Sequence, residues 1–536
     1  MCAERELQDT GLQEVRMDRD EMLAVALHTA VRRLPTMLLL LLAAVGAVCA
    51  VTLLVRHVQE VRGEGAVASP AMPSVAYADE LSSQSRFTAN LDYTSLAAPG
   101  DGSVVSQVMW DDDWFRADPM DYNHDLATTS SVLAALAYSE SGYYQVSNAQ
   151  PAYMEHALAT LGFDDVSTES YRYRSEIVDE VLNLFTDDAD AVAYTIARKH
   201  LQPEGGASGD DRPRDLILVS IRGSYGSEWL SNLNLAPAAE DVADDAAESQ
   251  MSQLREELTK LTHPLSDALH SWISFVGVLA GTGTGAEEDQ AQGVRSSDDE
   301  GQLALTGEHD HRGYFRASEE ICTQLNEWIS VSTERGAEVS VLLVGHSRGG
   351  AIANLVASEI DDAVAHSASN ADASKSALAD VAATYAYTFA SPATTLSSSA
   401  HDARYSNIFN IVNPADIMPY LPLQSWGYER YGVNLYLPSV DSEDFDGKYR
   451  DMRRAYAKTV GAESGYDPMD EHAIDGTLAR VSQQVASAQD LMTPTGVAAT
   501  VSSCVTGIDP VRVLYGHYPS TYIAWMDVLD ADDLAK

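Results

Sequence analysis

The segment Val341-Leu342-Leu343-Val344-Gly345-His346-Ser347-Arg348-Gly349-Gly350-Ala351 sets one serine between an aliphatic run and a run of small residues. The aliphatic run reads as a buried parallel strand. The residues after it, Ala351, Ala353, Leu355, Val356 and Ala357, have helical spacing. A Gly-x-Ser-x-Gly between a strand and a helix is the sequence form of a nucleophile elbow. Gly345 and Gly349 would let strand and helix approach where a Cβ would clash. The chemistry expected of Ser347 is nucleophilic attack on an acyl carbon.

A serine hydroxyl is a weak nucleophile, so Ser347 needs a base, an orienting carboxylate and donors for an oxyanion. On a sheet with such an elbow the acid comes next in the chain and the histidine last. Asn413-Pro414-Ala415-Asp416 follows the strand-like Ile408 to Val412, and the prolines of Ile417 to Pro422 would stiffen the loop after it. Asp416 is therefore the candidate acid; by position alone it also reads as a turn aspartate. Two histidines follow it, His472 and His517. His472 lies in a polar helical stretch and reads as solvated. His517, in Leu514-Tyr515-Gly516-His517-Tyr518-Pro519, is the candidate base, with a histidine satisfied by neighbouring tyrosines as the alternative. His309 and His311 precede the serine and break the order. The Arg348 N–H beside the nucleophile and Ser224, at the strand end Ile221-Arg222-Gly223-Ser224, are the candidate oxyanion donors. An isolated Arg-Gly-Ser is equally a plain turn.

The elements that must hold these groups read as strands at Ala191 to Ala197, Leu216 to Ile221, Val339 to Val344, Tyr385 to Ala390 and Ile408 to Val412. Helices are expected at Leu126 to Tyr138, after the capping cluster Asn123-His124-Asp125, at Ser318 to Ser332 and at Ala351 to Ile360. Alternating strands and helices predict an α/β fold, a mostly parallel sheet with helices on both faces. Two stretches fit the alternation poorly and read as insertions over the sheet edge, at about 237–311 and 441–492. Within the first, Leu265 to Gly281 carries Trp272, Ile273 and Phe275 and is a candidate lid.

The chain has 34 basic and 80 acidic residues, a net charge of -46, which excludes nucleic acid as a partner by repulsion. The acidic runs Glu240 to Glu248 and Ser296 to Glu300 read as solvated loops. Thr36 to Val55 is a run of 20 uncharged, mainly aliphatic residues, long enough to span a membrane as a helix. Arg16, Arg19, Arg32 and Arg33 precede it, which predicts a cytoplasmic N-terminus and an exported remainder. A retained signal anchor is expected, with cleavage after Ala78 of Ala76-Tyr77-Ala78 as the alternative. Gly63 to Gly102 is rich in small residues and reads as a linker. Cys322 and Cys504 are the exported cysteines and could pair or stay free. No metal-binding spacing is present.

Taken together the motifs resemble the class 3 lipases, the fungal-lipase-like branch of the α/β-hydrolases. Ile221 to Ser224 resembles that family's oxyanion strand end, with Trp229 placed like its following tryptophan. His311-Arg312-Gly313-Tyr314-Phe315 is similar to its His-x-Gly-aromatic start of the helix before the elbow. Phe389-Ala390-Ser391-Pro392 resembles its Phe-Gly-x-Pro strand end, Asn413 to Pro422 its acid loop, and His517-Tyr518 its terminal histidine. The matches fall in order from Asn123 to Asp527. Arg348 departs from the family, which usually has leucine there, and both insertions lengthen the family pattern.

The resemblance implies an α/β-hydrolase fold and a serine ester hydrolase acting on lipid or small esters without a cofactor or metal. It implies a triad of Ser347, Asp416 and His517, with Ser224 and Arg348 at the oxyanion. A thioesterase or peptidase on the same fold, or a membrane-tethered module without catalysis, are the alternatives. The expected division is a cytoplasmic segment 1–35, a transmembrane anchor 36–55, a linker 56–108 and a hydrolase domain 109–536.

Overall fold

The computed structural model describes residues 85–146, 153–171, 192–201, 212–223, 310–369, 376–487 and 494–536, with 96, 100, 101, 169 and 311 excepted. Among these, no helix is long and apolar enough to cross a membrane. The expected anchor 36–55 lies outside the described residues, as do Ser224, Trp229, His309, His311 and Leu265 to Gly281.

Among the described residues, seven strands form the main sheet in chain order: β3 (Asp165–Ser167), β4 (Tyr194–Leu201), β5 (Arg214–Ile221), β6 (Glu338–His346), β7 (Val381–Phe389), β8 (Ile408–Val412) and β9 (Val433–Tyr436). The β3–β4 and β4–β5 pairs are antiparallel. From β5 to β9 every pair is parallel. The expected α/β sheet is present, and each of the five expected strands overlaps one of its strands, the first running Tyr194–Leu201 against the expected Ala191 to Ala197. Residues 165–167 and 433–436 were not legible as strands, because three or four residues hold too little alternation to register.

The aliphatic runs of β5 and β6 are buried on both faces, and alternate residues feed two cores. Leu216, Leu218, Leu342 and Val344 join Tyr385, Tyr387 and Phe389 on one face. Helices α1 (His124–Val146) and α2 (Tyr153–Thr160) cover that face. Ile217, Val219, Ile221, Val341 and Leu343 point to the other face, against α3 (Arg312–Glu334) and α4 (Arg348–Ser369). Helix α1 begins where the capping cluster lies, with the Leu126 N–H donating to the Asn123 side chain at 3.0 Å.

The linker expected through residue 108 is corrected by a hairpin of β1 (Arg86–Thr94) and β2 (Ser103–Asp111), paired Arg86↔Asp111 through Thr94↔Ser103. Phe87, Ala89, Leu91 and Tyr93 alternate inward and join the first core with Val104, Val108 and Trp110. Their small and polar partners on the solvent face give the composition of a linker, while the period of two makes a strand. Lys199 of β4 locks the hairpin to the sheet. Its Nζ lies 2.8 Å from Asp112 just past β2, and burial lowers its pKa while Asp112 opposes that.

Of the stretch 441–492, the described residues 441–487 hold the expected helices, α5 (Phe445–Val460) and α6 (Asp470–Gln484), but these are not a mere cover on the sheet edge. Phe445, Met452, Tyr456 and Val460 of α5 are in the first core. Ile474 and Val481 of α6 form a third apolar cluster with Ile417, Leu421 and Leu423 of the loop after β8. The chain then closes with α7 (Pro494–Gly507), α8 (Pro510–His517) and α9 (Pro519–Met526), the last lying against α1. Of the two readings for Cys322 and Cys504, the structure has both as free, buried thiols. Cys322 lies in the second core and Cys504 in the third cluster, so packing separates them.

Buried carboxyls give the fold a pH dependence. Glu359 of α4 accepts a hydrogen bond from the Ser318 hydroxyl of α3, and burial pushes its pKa up to about 7 from 4.5. Its contribution to stability is full below the unfolded-state pKa and is lost as pH rises through about 7. Glu140 of α1, also raised to about 7 by burial, adds the same sign. Replacing Glu359 by Gln removes one of these titrations. Relative to wild type, the variant should gain up to about 3 kcal/mol between pH ~5 and pH ~8, since each pKa unit is worth about 1.4 kcal/mol. Thermal melts across that range check it, and parallel curves for the two proteins would refute it.

Candidate active site

Parallel pairing brings the ends of four strands to one edge. Ile221 of β5 pairs with Gly345 of β6, His346 with Phe389 of β7, and Phe389 with Ile411 of β8. Residues just past these ends, Gly223, Ser347 and Asp416, therefore converge, as sites on open α/β sheets do at the carboxyl ends of strands.

Ser347 has φ +58°, a left-handed conformation that a non-glycine residue adopts at some cost. The surroundings hold it there. Its N–H donates to the Phe389 carbonyl at 2.8 Å, and its carbonyl accepts from Ala351 at 3.1 Å. A Cβ on Gly345 would lie 2.3 Å from the Gly349 carbonyl oxygen, and one on Gly349 would lie 2.2 Å from the Ile221 oxygen. Both glycines are thus required by close backbone approach. A Cβ on Gly223 would lie 2.5 Å from the His346 carbonyl oxygen and 3.1 Å from the Ser347 Cβ. The Arg-Gly strand end is thereby placed against Ser347, although Ser224 itself lies outside the described residues.

The structure brings Ser347, His517 and Asp416 into one line. The Ser347 hydroxyl donates to His517 Nε2 at 3.0 Å, and His517 Nδ1–H donates to Asp416 Oδ2 at 2.9 Å. All three are buried, at 2%, 1% and 0% exposure, so their mutual attraction is little screened by solvent. Asp416 receives two further bonds, from the Met418 N–H to Oδ1 at 3.0 Å and from the Tyr522 hydroxyl to Oδ2 at 2.8 Å. With both oxygens engaged, the carboxylate cannot swing away from the imidazole. Burial and the nearby Asp416 charge keep the Tyr522 hydroxyl protonated and so a donor.

Four supporting groups, His346, Tyr138, Asn413 and Tyr522, were not singled out from the sequence. His346 is buried, and burial first, then the nearby His517, holds its pKa well below the usual value. It is therefore neutral. Its Nε2–H donates to the His517 carbonyl at 2.7 Å, and its Nδ1 accepts from the Tyr138 hydroxyl at 2.9 Å. Asn413 donates from Nδ2 to the Gly516 carbonyl at 2.8 Å, and its Oδ1 accepts from the Ala415 N–H at 3.1 Å. Asn413 thus joins the acid loop to the residue before His517. His346 is visible inside the elbow motif, but nothing local marks Tyr138 or Tyr522 as its neighbours.

His472 lies apart, half exposed, with Nε2 3.0 Å from Asp441, as its reading as a solvated residue requires. Arg348 is the first residue of α4, where helix amides point outward from the N-terminus and the dipole favours negative charge. Its charge lies near Tyr314 of α3. Among the described residues no group of three His, Cys, Asp or Glu side chains is arranged to hold a metal. The arrangement is equipped for proton transfer from a serine through histidine to a carboxylate-stabilised imidazolium, next to a helix N-terminus that can meet developing negative charge.

Residues 278–426 match the lipase (class 3) family, a stretch that includes Ser347 and Asp416 and ends before His517. No curated protein matches the chain significantly. Among solved structures, a Rhizomucor miehei lipase propeptide complex is 16% identical at a TM-score of 0.30, over 58% of this chain and 68% of its own. A deletion mutant of the same complex is matched over 66% of its length, 16% identical at a TM-score of 0.29 and over 59% of this chain. A lipase from Rhizopus microsporus var. chinensis is 14% identical at 0.27, over 58% of this chain and 72% of its own.

Proposed function

We propose that this chain, similar over residues 278–426 to the class 3 lipases, is a serine ester hydrolase that cleaves lipid carboxylic esters through an acyl-enzyme. The observation that carries the reading is the buried line from Ser347 through His517 to Asp416, with bonds of 3.0 and 2.9 Å. His517 Nε2 takes the hydroxyl proton as Ser347 Oγ bonds to the ester carbonyl carbon. The carbonyl oxygen becomes an oxyanion, met by the Arg348 N–H and by Ser224. The ester C–O bond then breaks, and His517 returns the proton to the departing alcohol. Water, deprotonated by the same imidazole, attacks the acyl-serine and releases the carboxylic acid.

The neutral His346 supports this division of labour. Because it carries no charge, it fixes the His517 backbone without repelling the imidazolium that forms. The uncharged run Thr36 to Val55 and the arginines before it support a catalytic domain exported from the cell, anchored at its N-terminus. Leu265 to Gly281 stays the candidate lid of that domain.

The test is a substrate panel on purified protein with matched esters, thioesters and amides of short and long acyl chains. Ester turnover should exceed amide turnover by orders of magnitude, with stoichiometric fluorophosphonate labelling of Ser347. Amide cleavage at comparable rates would move the assignment to a peptidase. Absence of both turnover and labelling would refute a serine hydrolase.

A further inference from the structure

Arg430, between the acid loop and β9, is only 6% exposed, and every described partner of its guanidinium is neutral. Nε donates to the Asn434 side chain of β9 at 3.0 Å. Nη1 donates to the Ser391 carbonyl at 3.0 Å and also to the Pro419 carbonyl. Tyr420, Tyr436, Tyr522 and Glu429 are the titratable groups near it, and burial lowers its pKa from the ordinary arginine value. A buried cation without a paired carboxylate is costly, and oriented carbonyl dipoles are what offset it.

The two carbonyls belong to the loop after β7, whose strand end holds the Ser347 N–H, and to the loop after β8 that carries Asp416. Ser391 follows Ala390, which has φ +53°, and Phe389, whose carbonyl accepts the Ser347 N–H. Pro419 sits in the 3-10 turn Met418–Tyr420, whose Met418 N–H holds Asp416 Oδ1. One guanidinium therefore joins the nucleophile side of the site to the turn that orients the acid. One backbone bond runs beside it, from the Ala393 N–H to the Leu421 carbonyl at 2.8 Å. Neither Ser391 nor Pro419 can turn its carbonyl away without stranding a buried charge.

We propose that Arg430 is a positioning residue for the reaction assigned above, holding the Asp416 carboxylate in register with His517 by clamping the acid loop to the loop after β7. The role rests on the hydrolase reading. It differs from plain structural support in one respect: losing Arg430 should loosen the Asp416–His517 bond in molecules that remain folded.

The experiment compares wild type, Arg430→Met, Arg430→Lys and the milder Asn434→Ala, all in the full chain, on a soluble short-chain p-nitrophenyl ester. Competent sites are counted by fluorophosphonate titration, so that misfolded protein does not enter the rate. Arg430→Met should lower kcat per site by about tenfold to hundredfold, the scale of a small misplacement of a catalytic group, with KM little changed. Its acidic limb in the pH profile should move to lower pH, since an imidazolium less well held by a carboxylate gives up its proton more readily. Asp416, His346 and Tyr522 face His517 from the acid loop, β6 and α9, and of these the substitution disturbs Asp416. Arg430→Lys, which keeps the charge and can reach at least one carbonyl, should recover part of the loss. Asn434→Ala should shift both readouts in the same direction by less. An unmoved pH limb and unchanged kcat per site in variants that melt earlier would overturn the proposal.

A second readout needs no substrate. The downfield proton resonance of His517 Nδ1–H, bonded to Asp416, should move upfield or broaden in Arg430→Met; an unchanged resonance also overturns the clamp. If wild type neither labels nor turns over ester, the hydrolase reading fails, and the proton resonance still decides whether Arg430 holds the pair.

Discussion

Replacing Ser347 with alanine is expected to lower kcat on a soluble ester by about 10⁵- to 10⁶-fold, with the protein still folded. The hydroxyl is the only part of the residue that the proposed reaction uses. Its removal leaves His517 with an unused acceptor at Nε2, and leaves the Ser347 backbone bonds to Phe389 and Ala351 in place. Because alanine has a Cβ as serine does, the φ of +58° carries a similar cost in both, and stability should change little. Residual turnover above the uncatalysed rate is expected from the helix N-terminus and the strand end at Gly223, which act on the carbonyl without a nucleophile. Steady-state rates with melting curves check this. A variant within tenfold of wild type would mean that Ser347 is not the nucleophile.

Asp416→Asn should cost about 10⁴-fold in kcat, for a different reason. Oδ1 of Asp416 accepts the Met418 N–H at 3.0 Å, so an amide at this position will keep its oxygen there. Its NH₂ then replaces Oδ2, opposite His517 Nδ1 and the Tyr522 hydroxyl. An NH₂ group can only donate, so it forces His517 to accept at Nδ1 and carry its proton on Nε2. That tautomer presents a proton to the Ser347 hydroxyl instead of a lone pair, and general-base catalysis stops. The fold should survive, because the substitution preserves shape and Tyr522 can turn its hydroxyl to accept. Nitrogen chemical shifts of the His517 ring, read beside the rates, test the tautomer directly. Full activity together with the switched tautomer would remove Asp416 from the mechanism.

What the sequence made legible follows the reach of local rules. Strand runs such as Leu216 to Ile221, a continuous and almost wholly aliphatic stretch, and the small-residue helix after Ser347, with its near-four spacing, are patterns within one element, and they match the observed elements. The hairpin Arg86 to Asp111 shows the limit, because its inward residues alternate with outward ones such as Thr88, Asn90, Ser103 and Gln107 that resemble a linker. The stretch 441–492 shows another. Its polarity describes the outer faces of α5 and α6, while a minority of residues such as Met452 and Ile474 tie it to the cores.

The same division holds at the site. By itself the sequence determined the reactive types and their order: a serine in a tight strand-to-helix turn, then an acid past a strand end, then a late histidine. These are properties of covalent neighbours, steric need at Gly345 and Gly349, and chain order. Tertiary structure alone decided which groups touch. His517 meets Ser347 across 170 residues of chain and Asp416 across 101, while Tyr138 reaches His346 across 208. At such separations the pairing is set by strand register and by how α1, α8 and α9 pack over the sheet edge, which no local period encodes. Arg430 is the clearest case: an arginine in a loop reads as solvated, and only the fold, by closing two loops around it, turns it into a buried charge that must hold their carbonyls in place.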